Sequence, residues 1–300
     1  HRLMVSGSDR SCEKWCRDYR IEGIEDLDLH HLYRAMGFLG EELKDQKGAT
    51  PFSPRCTKDR IEELMFFPKR DLFSELELVF FDTTSIYFEG HGGESLGQRG
   101  FSKDHRPDLK QMVVGAVIDD KGRPICCEMW PGNTTDVKTL IPVAERMRSR
   151  FGIHNFCIVC DRGMISNDTV KKLEKKGISY ILGARMRRVK EIKIEVLSRP
   201  GRYSEVYPEG VTSKDPSPLK VKQVVENDKR YIVCFNTRQA RKDAADREAI
   251  ITALQEQLKK GAKSLVGNKG YRRYLKMNKD SVHIDMDKVK AESRFDGKWV

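Results

Sequence analysis

The sequence predicts an α/β fold in which a mixed sheet is flanked by helices, with a helical region before it and a β-prone stretch after it. Three observations carry that expectation. Short β-prone runs follow one another in hairpin-like order between residues 76 and 130, and helix then alternates with strand as far as residue 182. A helix that crosses between two strands favours parallel pairing, whereas hairpins pair antiparallel. No stretch approaches eighteen consecutive apolar residues, so no membrane-spanning helix is expected.

Residues 1–75 are expected to be mostly helical and irregular. Leu29, Leu32, Tyr33, Met36, Leu39 and Leu43 fall close to one helical stripe. The Pro-containing stretch ATPFSPRCTKDR breaks it, and a short helix is expected over 60–67. Strands are expected over 76–81, 85–88 and 111–118, with the turn DDKGRP leading into another over 125–130. The loop GHGGESLGQRG between them lacks G-x-x-x-x-G-K-[ST], which excludes a P-loop. Thr134, Thr135 or Asp136 caps a helix whose apolar face is Val137, Leu140, Ile141, Ala144, Met147 and Phe151, and Gly152 ends it. A strand over 156–160, a helix over 166–176 closed by Gly177, and a strand over 178–182 complete the series. Beyond Gly183 the chain is β-prone and punctuated by Pro and Gly, with a hairpin over 220–225 and 230–235 and an amphipathic helix over 243–260.

Composition bounds the function. The 300 residues carry a net charge of +11, with 38% hydrophobic and 34% charged residues. Residues 1–78 hold 13 Lys and Arg against 16 Asp and Glu, so residues 79–300 carry +14. A basic half suits a polyanion such as DNA or RNA, the alternative being a solvated lysine-rich face. Of the eight cysteines, Cys157 and Cys160 form a C-x-x-C, but within a strand they point to opposite faces. With no second such pair, reduced cysteines in a cytosolic protein are expected. The seven histidines show no zinc-enzyme spacing. The start HRLMVSGSDR has neither an initiator Met nor a signal-peptide core, which reads as a fragment.

Two carboxylates stand out. The apolar run LELVFF stops on Asp82 and FCIVC stops on Asp161. If those strands are parallel neighbours, both carboxylates emerge at one sheet edge, where α/β sheets place ligands. In a basic setting, a pair of oxygen donors fits a divalent metal site for phosphodiester chemistry. Taken singly, each aspartate also suits a turn or helix cap.

The strings FFDTTSIYFEG, GFSKDHRPDLKQMVVGAVIDDKGRPICCEMWPGNTTDVKTL and VCDRGMIS, in that order, resemble the DDE transposases of bacterial insertion sequences, and most closely the insertion sequence four group. The resemblance covers roughly residues 76–188. It implies an RNase H-like catalytic core over 76–189 with Asp82 and Asp161 as its first two catalytic, metal-binding aspartates. It also implies a β-rich insertion over 190–238, a return toward the core over 239–300, and two Mg²⁺ or Mn²⁺ ions. Double-stranded DNA is the implied partner, as terminal inverted repeats and target, with a homodimer in a synaptic complex, no membrane, and a nucleoid-associated place in a prokaryotic cytoplasm. The group's third motif, Tyr-x2-Arg-x3-Glu-x6-Lys, is not found, and the chain is expected to end short of its glutamate and to be inactive alone.

Candidate DNA-binding residues are Lys103, His105, Arg106 and Lys110 in the most family-like string, and Arg162 directly after Asp161. Residues 171–193 hold nine Lys and Arg, among them Arg185, Arg187 and Arg188. Residues 257–279 hold eight with no acid, interleaved with Tyr271 and Tyr274. A metal-dependent RNase H-like nuclease and a non-catalytic DNA-binding remnant stay open as alternatives.

Overall fold

The structure is a computed structural model. It describes residues 5, 7–23, 27–50, 52–67, 78–90, 92–103, 105–207, 217–260, 271, 273–277 and 282–300. The chain divides into two compact units, His1–Leu182 and Gly183–Val300.

Three helices open the first unit, α1 (Asp9–Asp18), α2 (Leu29–Leu39) and α3 (Thr57–Phe66). Its sheet is built from β1 (Leu78–Tyr87), β2 (Gln111–Asp119), β3 (Pro124–Pro131), β4 (Cys157–Cys160) and β5 (Ser179–Leu182), in the order β3-β2-β1-β4-β5. The first three strands pair antiparallel. Helices α4 (Leu140–Phe151) and α5 (Asn167–Lys175) carry the chain across, and β4 and β5 add in parallel. This mixed five-stranded sheet flanked by helices has the strand order and directions of an RNase H-like sheet.

Strict alternation explains why one face is covered. In β1 the residues Val79, Phe81, Thr83 and Ser85 are buried while Phe80, Asp82, Thr84 and Ile86 are exposed. Val79 and Phe81 join Val117, Leu140, Val143, Met147, Phe151, Ile158 and Leu173 in one core between sheet and helices. Gly115 lets the sheet close there. A Cβ at that position would lie 2.6 Å from the Phe81 ring and 2.8 Å from Trp130.

One expectation is corrected. The two short strands expected over 76–81 and 85–88 are a single ten-residue strand, so Asp82 lies mid-strand and not at a strand end. Asp-Thr-Thr-Ser looks like turn chemistry, but nine register pairs with β2, from Val79↔Asp119 to Tyr87↔Gln111, hold the backbone extended. Residues 76 and 77 lie outside the described residues.

In the second unit, β6 (Ser204–Val206), β7 (Leu219–Glu226) and β8 (Lys229–Phe235) form an antiparallel sheet, and β11 (Lys298–Trp299) adds beside β8. Asn227 and Asp228 both have positive φ, 49° and 60°, as a tight two-residue hairpin turn requires. Helix α6 runs over Thr237–Lys260, six residues longer at its start than expected. It packs Leu254 against Tyr274 and Leu275 beside the small hairpin of β9 (Leu275–Met277) and β10 (Val282–Ile284); helix α7 (Met286–Ser293) follows.

Candidate active site

The pairing of β1 with β4 positions the two aspartates. The parallel register runs Leu78↔Cys157 to Phe81↔Cys160, so the next step sets Asp82 beside Asp161. Asp161 keeps extended backbone angles, φ −72° and ψ 160°, as it leaves β4. Neighbouring strands lie about 4.8 Å apart, which brings the two residues side by side. The alternation also puts both on the open face, since Phe81 and Cys160 just before them are buried. The Cys160 thiol feels this pair. Burial, and then the charges of Asp161 and Asp82, push its pKa up to about 12.

Each aspartate also braces its own backbone. Asp82 Oδ1 accepts from the Thr83 N–H at 2.7 Å, and Asp161 Oδ1 accepts from the Arg162 N–H. Both carboxylates are therefore oriented yet reached by water.

A third carboxylate stands close by, and sequence reasoning took it only for a helix cap. Thr83 Oγ1 donates to Asp136 Oδ1 at 2.9 Å, and Lys103 Nζ lies 3.6 Å from Asp136 Oδ2. Lys103 Nζ donates to the Thr83 carbonyl and, at 3.3 Å, to its hydroxyl. A Cβ at Gly163 would lie 3.6 Å from Asp136 Oδ2 and 3.9 Å from Asp161 Oδ2, so these two acids flank the turn after β4. The only signal for Asp136 was its place at the end of PGNTTD.

The other candidates divide between the two units. In the first, Arg106 is exposed, chelates Asp108 at 3.1 and 2.9 Å and stands over the Tyr87 ring. His105 has a left-handed backbone, φ 57°, and Lys110 is exposed directly before β2. Arg162 is exposed in the turn after Asp161. Arg185, Arg187 and Arg188 belong to the second unit, where Arg187 pairs with Glu292 at 2.9 Å and lies over Phe295. Tyr274 is 2% exposed and serves that unit's core, while residues 261–270, 272, 278 and 279 of the second basic run lie outside the described residues.

Competing metal sites are few among the described residues. Asp28, His30 and His31 bring three ligand atoms within 4.8 Å of one another, all on exposed side chains. There His31 Nδ1 already accepts from the Asp28 N–H at 3.1 Å to cap α2. None of the eight cysteines forms a disulfide. No helix among the described residues is long and apolar enough to cross a membrane.

A family model described as Transposase DDE domain matches residues 74–226, about half of the chain and including Asp82, Asp136 and Asp161. No curated protein sequence matches. Among solved structures, a piggyBac transposase synaptic complex with hairpin DNA aligns at 14% identity and a TM-score of 0.29, covering 75% of this chain and 56% of that one. A Mos1 mariner paired end complex with Mn aligns at 11% identity and a TM-score of 0.24, covering 60% and 52%. The chain thus spans little more than half the length of either. With both strand aspartates inside the matched segment, the chain belongs to the transposase DDE domain family.

Proposed function

We propose that this chain is the catalytic region of a DNA transposase that cuts and joins phosphodiesters at the ends of an insertion sequence, with Asp82 and Asp161 as its metal-holding pair. The observation that supports this most is the parallel register of β1 and β4, which sets the two exposed carboxylates side by side. Their donors are oxygens only, the set preferred by Mg²⁺ and Mn²⁺. When bound, such ions activate the attacking oxygen and stabilise the leaving one.

The chain's own residues supply the framework. Thr83, Lys103 and Asp136 tie β1 to the loop before β2 and to the start of the crossover helix. That fixes the backbone beside Asp82 without using its carboxylate. Arg106 and Lys110 stand exposed on the same loop, and Arg162 follows Asp161, so phosphates on either side of the scissile bond would meet cations. Lys103 serves chiefly inside the network. The Tyr-Arg-Glu-Lys signature of the insertion sequence four group is not among the 300 residues, so this chain alone is expected to cut DNA poorly. Asp136 does not replace its glutamate, being committed to Thr83 and Lys103.

Duplex binding across a salt series tests the DNA reading. Binding should weaken steeply with salt, and Arg106→Gln with Lys110→Gln should reduce the log–log slope by roughly one per lost phosphate contact. Arg187→Gln should change it less than Arg188→Gln, because Glu292 already holds Arg187. Salt-insensitive binding, or none, contradicts the proposal.

A further inference from the structure

Asp136 holds Thr83 with one of its two oxygens and leaves the other to a different neighbour. Oδ1 accepts from the Thr83 hydroxyl at 2.9 Å. Oδ2 has the Lys103 ammonium at 3.6 Å, longer than a hydrogen bond, and borders Gly163. Asp161 is divided in the same way. Its Oδ1 accepts from the Arg162 N–H, and its Oδ2 also borders Gly163.

The glycine itself keeps this place open. A Cβ there would lie 3.6 Å from Asp136 Oδ2 and 3.9 Å from Asp161 Oδ2, and chain neighbours aside, no other heavy atom of the described residues comes within 4 Å. Backbone strain does not call for glycine, since Gly163 is not among the residues of positive φ. A methyl group would not collide either, because both distances are ordinary contacts. What a side chain would remove is the space between two acid oxygens.

Two carboxylates that border one space repel each other, and a cation, or a donor polarised by one, relieves that. Direct ligation by Asp136 does not fit. Oxygens bound to one Mg²⁺ at about 2.1 Å lie within about 4.2 Å of one another, whereas Asp82, Asp136 and Asp161 do not bring three oxygens within 4.8 Å. One water makes up the difference. A water on a divalent ion is a strong donor, and a carboxylate oxygen that faces an ammonium keeps a second lone pair for it. We propose that Asp136 is a positioning residue of the ion site: across the gap left by Gly163, its Oδ2 accepts a hydrogen bond from a water on the ion that Asp82 and Asp161 hold. This rests on the metal reading above and deepens it by adding a third acid, from the segment that leads into α4.

Mn²⁺ binding to the 300-residue chain tests it, read from the loss of the free ion's electron paramagnetic resonance signal. Asp136→Asn should weaken binding roughly tenfold, the usual cost of losing an outer-shell partner. Gly163→Ala keeps every charge and should weaken it comparably, because its methyl group fills the gap. Asp168→Asn, which removes an exposed acid paired with Lys172, should stay within about twofold of the wild type. Circular dichroism verifies that each variant is folded, and the two site variants test the same gap by independent changes. Unchanged affinity in either of them overturns the role of Asp136 and leaves the Asp82–Asp161 pair standing. Weakening in Asp136→Asn alone makes that acid a distant charge. If the wild type binds no Mn²⁺, or if Asp82→Asn binds it equally well, the metal reading fails and this inference fails with it.

Discussion

Asp136 joins three pieces of the site through two short contacts, one to the Thr83 hydroxyl and one to the Lys103 ammonium. Thr83 is only 5% exposed, so its hydroxyl needs that acceptor, while the Lys103–Asp136 pair is partly solvated, 37% and 29%. Solvent screening limits such a pair. Asp136→Asn should therefore cost about 1 kcal/mol in urea unfolding. The exposed pair Lys172–Asp168, at 54% and 72%, provides the control, and Asp168→Asn should stay within about 0.5 kcal/mol. Equal effects would show that Asp136 is only another surface acid. At this scale Asp82 and Asp161 were legible because each ends an apolar run. Asp136 was not, because Thr-Thr-Asp before a helix is also ordinary capping chemistry, and only tertiary folding brings it to Thr83.

Elements of the first unit are held by buried charge as well as by the apolar core. Arg150 on α4 is 6% exposed and contacts Asp59, Glu62 and Glu63 of α3 at 3.0–3.2 Å. Glu128 of β3 is 4% exposed, lies 3.6 Å from Arg150 and pairs with Arg146. Arg55 adds a bond to Glu63 at 2.7 Å. Removing one partner of such a network strands the others without water. Arg150→Ala should cost about 3–5 kcal/mol, measured by urea unfolding. A change near 0.5 kcal/mol would mean that solvent reaches these groups. The same network gives a sign to the pH dependence. Burial alone would raise Asp59, but the Cys56 N–H and the charges of Lys58 and Arg150 outweigh it and hold its pKa below the ordinary carboxylate value. Asp119 is likewise lowered, hydrogen bonds from Arg123 and Lys121 overcoming its burial. A carboxylate depressed in the folded state gives its full stabilisation above the unfolded value near 4 and loses it as pH falls through the folded value. Stability should therefore be flat on this account from pH 7 to about 5 and fall below about 4. Rising stability on acidification through that window would contradict it.

Across the whole molecule, period-2 and period-3.6 patterning gave the sheet and its crossover helices, because one face of each is buried against the other. Two features escaped it. The continuity of β1 through Asp-Thr-Thr-Ser depends on nine partners in β2, none visible locally. The pairing of β11 with β8 depends on a strand more than sixty positions earlier. The central claim, that adjacent strands make a metal site of Asp82 and Asp161, is tested most directly by replacing the ion with Fe²⁺ and letting ascorbate and peroxide cut the polypeptide where the iron sits. Cleavage should map close to residues 82 and 161 and disappear in Asp82→Asn and in Asp161→Asn, with both variants still folded. Cleavage confined to residues 28–31, or unchanged in both variants, would contradict it.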